Sequence, residues 1–502
     1  MAYNFISSEP HVVVVGAGFA GLGAATTLVK NGLKNVLILE AMDHAGGRTH
    51  TVQPIGPNII EMGATWIHGQ KDNPLYQMAK SQGLLAEEGF RMVSCQPGAV
   101  SSGDYFFTEH GERLPKEKVE KVSTFFAALI SRIMVQGTEA DYDSWSLGDF
   151  LDQEFLTSGV SELGAADSVF EWCKRMECVD EACNSMYEFS LSQLGLYTRL
   201  EGPFFNCLGS KGYQAVVDHL VAALPPNTLR QEKPVKCIQW TGSSEKVEEA
   251  PHHPVTVLCD DGEEFVADHA IVTVSLGYLK ERAQTMFEPH LPQGKLEAIA
   301  RLGFGTVAKI FLEFEDPFWP EDCMGIQLLW ERGPENKDVY DGNKQNEGWK
   351  REWFKKIGGF DRLARHQSVL CGWITGLAAE HMETLPETEV GDTCIRLLRE
   401  FTGWEVTKLR SVTRSTWKSN PYIRGSYTNI PVGVDAVKEQ TALAEPLPST
   451  HHINNLRPLQ VLFAGEATHI NFYTTTHGAY LSGVREAERI LQHYRLHTMA
   501  KL

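Results

Sequence analysis

Three glycines and one glutamate are the first residues in this chain whose types and spacing could do chemistry. Gly16, Gly18 and Gly21 stand in the pattern GxGxxG, with Ala20 inside it, and Glu40 follows the next strand-like run. Glycines so spaced let the backbone approach a pyrophosphate, and the N–H groups of a helix start then face the anion. A carboxylate at Glu40 can accept the hydroxyls of a ribose and repels the extra phosphate of NADP. The pattern points to a bound dinucleotide.

Such a turn works only if a strand delivers it and a helix leaves it. Val12 to Val15 are four consecutive valines, which read as a strand buried on both faces. A helix on small residues (Gly23, Ala24, Ala25) follows and stops at Asn31-Gly32, and Val36 to Leu39 gives a second strand closing on Glu40. Strand, glycines, helix, strand and acid in this order lift GxGxxG above a chance match; a plain structural turn is the other reading.

Composition sets outer bounds. A chain of 502 residues can bury two or three cores, and 42% hydrophobic with 22% charged residues is ordinary for a soluble protein. No apolar run approaches the roughly eighteen residues of a membrane span, and MAYNFISSEPH lacks the features of a secretory signal, so an intracellular protein is expected. The 10 cysteines show no CxxC pair and no cluster with histidine, which reads as reduced thiols and no metal. A net charge of −18 argues against nucleic acid and favours a cationic small substrate gathered by an acidic funnel. Acidity that serves solubility is the alternative.

Further motifs carry a family resemblance. Gly46-Gly47-Arg48, Glu61-Met62-Gly63-Ala64-Thr65-Trp66-Ile67-His68-Gly69, Leu462-Phe463-Ala464-Gly465-Glu466 and the Thr474 to Gly483 stretch resemble signatures of the FAD-dependent amine oxidases. The resemblance implies FAD, with Arg48, Gly63, Thr65, Trp66, Gly465, Glu466, Thr474 and Thr475 among its contacts. It places Val235 against adenine through the backbone, and Trp417 and Tyr422 beside the flavin ring. Ser426 stands where monoamine oxidases carry the cysteine that links FAD, so the cofactor is expected to be non-covalent.

The same resemblance assigns substrate roles. Lys309 matches a lysine that sits near the reactive flavin nitrogen through a water, and a lysine on so apolar a strand is costly without a function or a partner. His68 matches a polyamine oxidase position within reach of the substrate's amines, and Glu188 with Ser190 matches residues that grip the far end of a polyamine. On an extended segment those two would share one face. Tyr427 matches one wall of the monoamine oxidase aromatic cage, whose other wall falls at Thr475, which leaves the cage half open. Leu196 stands where spermine oxidases carry a glutamate.

The implied reaction is oxidation of a secondary amine of an acetylated polyamine or spermine by O2, giving a shorter polyamine, an aldehyde and hydrogen peroxide. A monoamine oxidase, a histone-lysine demethylase and a non-catalytic FAD-binding scaffold are the alternatives. The ending Ala500-Lys501-Leu502 is a one-residue variant of the Ser-Lys-Leu address. It implies a peroxisomal import receptor as partner and the peroxisome as location, with the cytoplasm as alternative.

The expected fold class is α/β, α+β overall. A Rossmann-like FAD-binding domain (1–85, 205–290, 440–502) is joined to a substrate domain (86–204, 291–439) with a mixed sheet flanked by helices. Helical spacing is expected over Asn73–Gln82, Val119–Val135, Ser168–Met176, Gly212–Leu224 and Ala479–Tyr494. Strands are expected at Lys233–Ile238 (an edge), at Val255–Leu258 and Glu264–Ala267 around an Asp261-Gly262 turn, and at His269–Val274, Ala308–Phe314 and Gln367–Ile374. Gly242–Pro254 and Gly333–Gly348 read as polar loops.

Overall fold

The computed structural model describes residues 9–87, 100–136 apart from 102, 144–241, 253–331, 347–448 and 457–499. Most of the two polar loops and the Ala500-Lys501-Leu502 ending lie outside the described residues. The valine run Val12–Val15 forms the centre of a five-stranded parallel sheet, in the order Val461–Phe463, His269–Val272, Val12–Val15, Val36–Leu39, Leu229–Arg230. Val12 lies opposite His269 on one side and Val36 on the other. Val12 and Val14 pack into a core with the helices Phe19–Lys30 and Thr476–Met499, while Val13 and Val15 enter a second core on the opposite face. Burial on both faces is why the strand tolerates no polar alternation.

The second core is shared with a four-stranded sheet, ordered Glu264–Ala267, Val255–Cys259, Val235–Trp240, Phe287–Glu288. The Asp261-Gly262 hairpin forms as expected, with Gly262 at φ +86. Val235–Trp240, expected as an edge, is interior, because Phe287–Glu288 pairs in parallel along its far side.

A six-stranded sheet runs Leu409–Arg414, Val307–Phe314, Val369–Thr375, Gly359–Arg362, Gly325–Leu329, Asp104–Thr108, antiparallel except for its last pair. Along Asp104–Thr108 the side chains alternate between two cores: Tyr105 and Phe107 join the one under helices Gly376–Thr384 and Glu387–Thr402, whereas Phe106 joins the one under Lys116–Gln136, Leu147–Thr157 and Ala166–Asp180. The parallel sheet and the mixed sheet are each assembled from segments far apart in sequence. No described helix is long and apolar enough to cross a membrane.

Candidate active site

The C-terminal end of Val12–Val15 opens into the glycine turn, and this turn borders a cavity of about 520 Å³. A Cβ on Gly21 would stand 1.9 Å from the Gly16 carbonyl oxygen, so only glycine lets the helix start this close to the strand. A Cβ on Gly18 would meet no protein atom within 4 Å and would project into space left for a ligand. Glu40 is buried, and its carboxylate accepts the Ala17 N–H at 2.6 Å and the Met42 N–H at 2.9 Å. Burial outweighs those bonds and raises its pKa. Val235 borders the cavity beside Glu40, tied in by the Lys233 N–H donating to the Glu40 carbonyl at 2.8 Å.

Farther along, Arg48 donates from Nη1 to Glu466 Oε1 at 2.8 Å and to the Ser426 carbonyl at 2.8 Å. Glu466, buried after Gly465, also accepts the Thr474 N–H at 2.9 Å. Thr474 is held at φ +69, an uncommon conformation for a β-branched residue, and that bond fixes it. Thr475 caps the Thr476–Met499 helix, its Oγ1 accepting the Gly478 N–H at 3.0 Å. Gly63 has no room for a Cβ, which would lie 1.8 Å from the Arg48 carbonyl and 3.0 Å from Trp417. Trp417 donates to the Met62 carbonyl at 3.1 Å and borders the cavity with Tyr422.

Lys309, in the interior strand Val307–Phe314, reaches this wall. Its ammonium donates to the Glu61 carbonyl at 2.8 Å, the Gly63 carbonyl at 2.6 Å and Thr65 Oγ1 at 2.6 Å, and lies 4.7 Å over the Trp373 ring. Burial lowers its pKa to about 8, against the Cys371 and Glu61 side chains, which favour the charge. Trp66 and Trp373 stack at 6.0 Å, and Tyr427 donates its hydroxyl to the Val179 carbonyl. His68 packs on Phe204 at 4.5 Å, and burial lowers its pKa to about 4, so it is neutral at ordinary pH.

Trp66 Nε1, His68 Nδ1, Trp373 Nε1 and Tyr473 Oη are buried with no hydrogen-bond partner among the described residues, and all four side chains border the same cavity. Orphaned polar atoms grouped around one space mark where a polar ligand belongs. The glycine cradle, the Glu40 carboxylate and these orphans fit a dinucleotide.

Glu188 and Ser190 do not border the cavity. Residues 186–188 form a turn rather than an extended segment; Glu188 is exposed there and Ser190 is buried beside Ser192. The acids that do line the cavity are Glu177, Asp180 and Glu181. They sit at the end of helix Ala166–Asp180 at a spacing that gathers them on one side. The sequence reading ended this helix at Met176 and so missed them. Burial raises the pKa of Glu177 to about 7, with the Arg199 charge opposing. Asp180 and Glu181 are raised further by burial and then by the Glu177 charge. Both keep solvent-accessible surface where they border the cavity. Three carboxylates so placed share protons until a cation arrives.

Residues 19–491 match the family described as flavin containing amine oxidoreductase. The chain is 40% identical to the Homo sapiens peroxisomal N(1)-acetyl-spermine/spermidine oxidase, an alignment covering 96% of this chain and 95% of that one. It is 34% identical to polyamine oxidase 1 of Oryza sativa subsp. japonica, covering 98% of each. A putrescine oxidase redesigned for cofactor binding shares the fold at TM-score 0.67 and 20% identity, over 96% of this chain and 99% of that one. With its glycine cradle, buried Glu40 and Arg48–Glu466 pair in place, the chain belongs to the flavin-containing amine oxidoreductases, and FAD is its cofactor.

Proposed function

We propose that this enzyme oxidises a secondary amine of a polyamine, acetylated polyamines or spermine, with O2 as final acceptor and a shorter polyamine, an aldehyde and hydrogen peroxide as products. The observation that carries the reading is one cavity that joins a dinucleotide turn at Gly16–Gly18 to a trio of acids, Glu177, Asp180 and Glu181, past the aromatic pair Trp66 and Trp373. In this reading residues 1–85, 205–290 and 440–502 hold FAD, and 86–204 with 291–439 hold the substrate. Bound FAD supplies the acceptor for a hydride from the carbon beside the amine.

The chain's own residues do the rest. The acids take the ammonium groups distant from the reacting nitrogen, and each cation that enters restores their ionisation. Neutral His68 can accept a hydrogen bond from an amine without repelling it. Trp66, Trp373 and Tyr427 enclose the reacting segment and exclude water, and Lys309 holds the Glu61–Thr65 wall and a proton near the flavin. Glu188, at the surface, serves the attraction of cations rather than their grip.

Peroxisomal residence belongs to the same reading and is supported by the names of the mammalian relatives, peroxisomal oxidases both. Imaging the full chain with an N-terminal tag, with and without Ala500-Lys501-Leu502, tests it; equal peroxisomal signal from both would remove any role for that ending. The chemistry is tested by adding spermine or N1-acetylspermine to the FAD-loaded protein without oxygen. Bleaching of the flavin absorbance, then peroxide on admitting oxygen, is expected. No bleaching by either polyamine overturns the reading.

A further inference from the structure

At the acidic end of the cavity stands a cation that the proposed chemistry leaves unused. Arg199 follows the Leu194–Leu196 turn, is exposed and borders the cavity. Its guanidinium lies 4.9 Å over the Phe204 ring, and Phe204 packs on His68 at 4.5 Å, so the charge is two rings from a residue of the substrate slot. Among the described residues no hydrogen bond and no ion pair within 4.0 Å engages its N–H donors. Its field nevertheless reaches Glu177, Asp180 and Glu181.

Beside acids that take ammonium groups, a guanidinium with free donors suits a substrate that has one uncharged end. A free terminal ammonium arriving here would be repelled by the guanidinium and would compete with it for the carboxylates. An acylated end carries no charge and presents an amide oxygen. The planar guanidinium can donate to that oxygen with a fork of N–H groups, which a lysine cannot copy. The surroundings suit the rest of an acyl group. The helix Lys116–Gln136 packs against the Leu194–Leu196 turn, and its Ile130 and Met134 give the same cavity apolar wall.

We propose that Arg199 is a specificity-determining residue that selects polyamines bearing one N-acylated end, donating hydrogen bonds to the acyl oxygen and repelling a free ammonium. The proposal rests on the polyamine oxidase reading above. It combines attraction of the right end with exclusion of the wrong one, which discriminates more sharply than attraction alone.

The test is kcat/KM of the FAD-loaded enzyme for N1-acetylspermine and spermine, in wild type, Arg199→Leu and Arg199→Lys. Because the side chain is exposed, all three are expected to fold, with FAD content as the check. Wild type should prefer N1-acetylspermine. Arg199→Leu should lose about tenfold or more on N1-acetylspermine while spermine holds or improves, the scale of one charge-assisted hydrogen bond. Arg199→Lys, which keeps the charge without the fork, should fall between for N1-acetylspermine and leave spermine poor. A wild type that prefers spermine, or an Arg199→Leu variant that changes both substrates by one factor, overturns the proposal while the polyamine oxidase reading stands. No flavin reduction by either substrate in wild type overturns both.

Discussion

The Lys309 ammonium donates to Thr65 Oγ1 at 2.6 Å, and its two other N–H groups go to the Glu61 and Gly63 carbonyls. A single buried lysine in the mixed sheet thereby fixes the Glu61–Thr65 stretch that walls the cavity. Burial lowers its pKa to about 8, close enough to neutrality for it to exchange a proton.

Lys309→Met should keep the fold and FAD, because methionine has similar length and suits an apolar strand. Flavin reduction, reoxidation or both should slow by on the order of tenfold or more. Any step in the wild-type rates with a pKa of about 8 should vanish in the variant. Anaerobic stopped-flow reduction, followed by mixing with oxygen, gives both rates. Wild-type rates in both half-reactions of an FAD-loaded variant would make Lys309 structural.

Glu466 receives Arg48, the Thr474 N–H and Thr428 Oγ1, the last at 3.1 Å. Glu466→Gln leaves the Arg48 charge without its partner in a site that is only partly open to solvent. A loss of roughly 2–3 kcal/mol is expected, below the value for a fully buried pair because Arg48 is a quarter exposed. FAD should wash out on gel filtration. An unchanged melting temperature with full FAD content would show that the pair positions nothing.

How far this architecture was legible in the sequence depends on the kind of signal. The Val12–Val15 strand, the glycine turn and Glu40 are set by local rules, and each stands where its spacing implied. Lys309 was legible as a charge in an apolar strand, although its three acceptors lie about 250 residues away in sequence and only the fold brings them together. Glu188 and Ser190 misled because alternation holds only for extended backbone, and the chain turns there. Glu177, Asp180, Glu181 and Arg199 gave no motif. Their meaning comes from a cavity assembled by distant segments, and the helical spacing of the three acids was hidden by ending the helix too early.

Ser426 donates its hydroxyl to the Val307 carbonyl at 2.9 Å and accepts the Val307 N–H at 2.8 Å. A serine has no sulfur with which to form a thioether to a flavin. Acid precipitation of the holoenzyme should therefore leave the yellow colour and all FAD in the supernatant. Flavin fluorescence retained in the washed pellet would contradict this.

Glu177 sets substrate grip against stability, and pH separates the two. Its folded pKa of about 7 lies above the ordinary 4.5, so the proton it carries stabilises the fold fully below pH about 4.5, and this contribution is lost as pH rises through about 7. Glutamine carries no charge at any pH. Glu177→Gln should therefore match wild type near pH 5 and become the more stable protein above pH 7, by at most about 3 kcal/mol. Sharing of charge with Asp180, Glu181 and Arg199 trims that ceiling toward 1–2 kcal/mol, roughly. The substrate moves the other way. Above pH 7 the ionised wild-type carboxylate binds ammonium and the amide does not, so the KM for a polyamine should rise about tenfold in the variant there and less at pH 6. Thermal unfolding from pH 5 to 8, with and without saturating polyamine under anaerobic conditions, reads both effects. A difference in melting temperature that stays constant across pH would mean that Glu177 is already ionised in the empty cavity, and the account of the acid trio would fail with it.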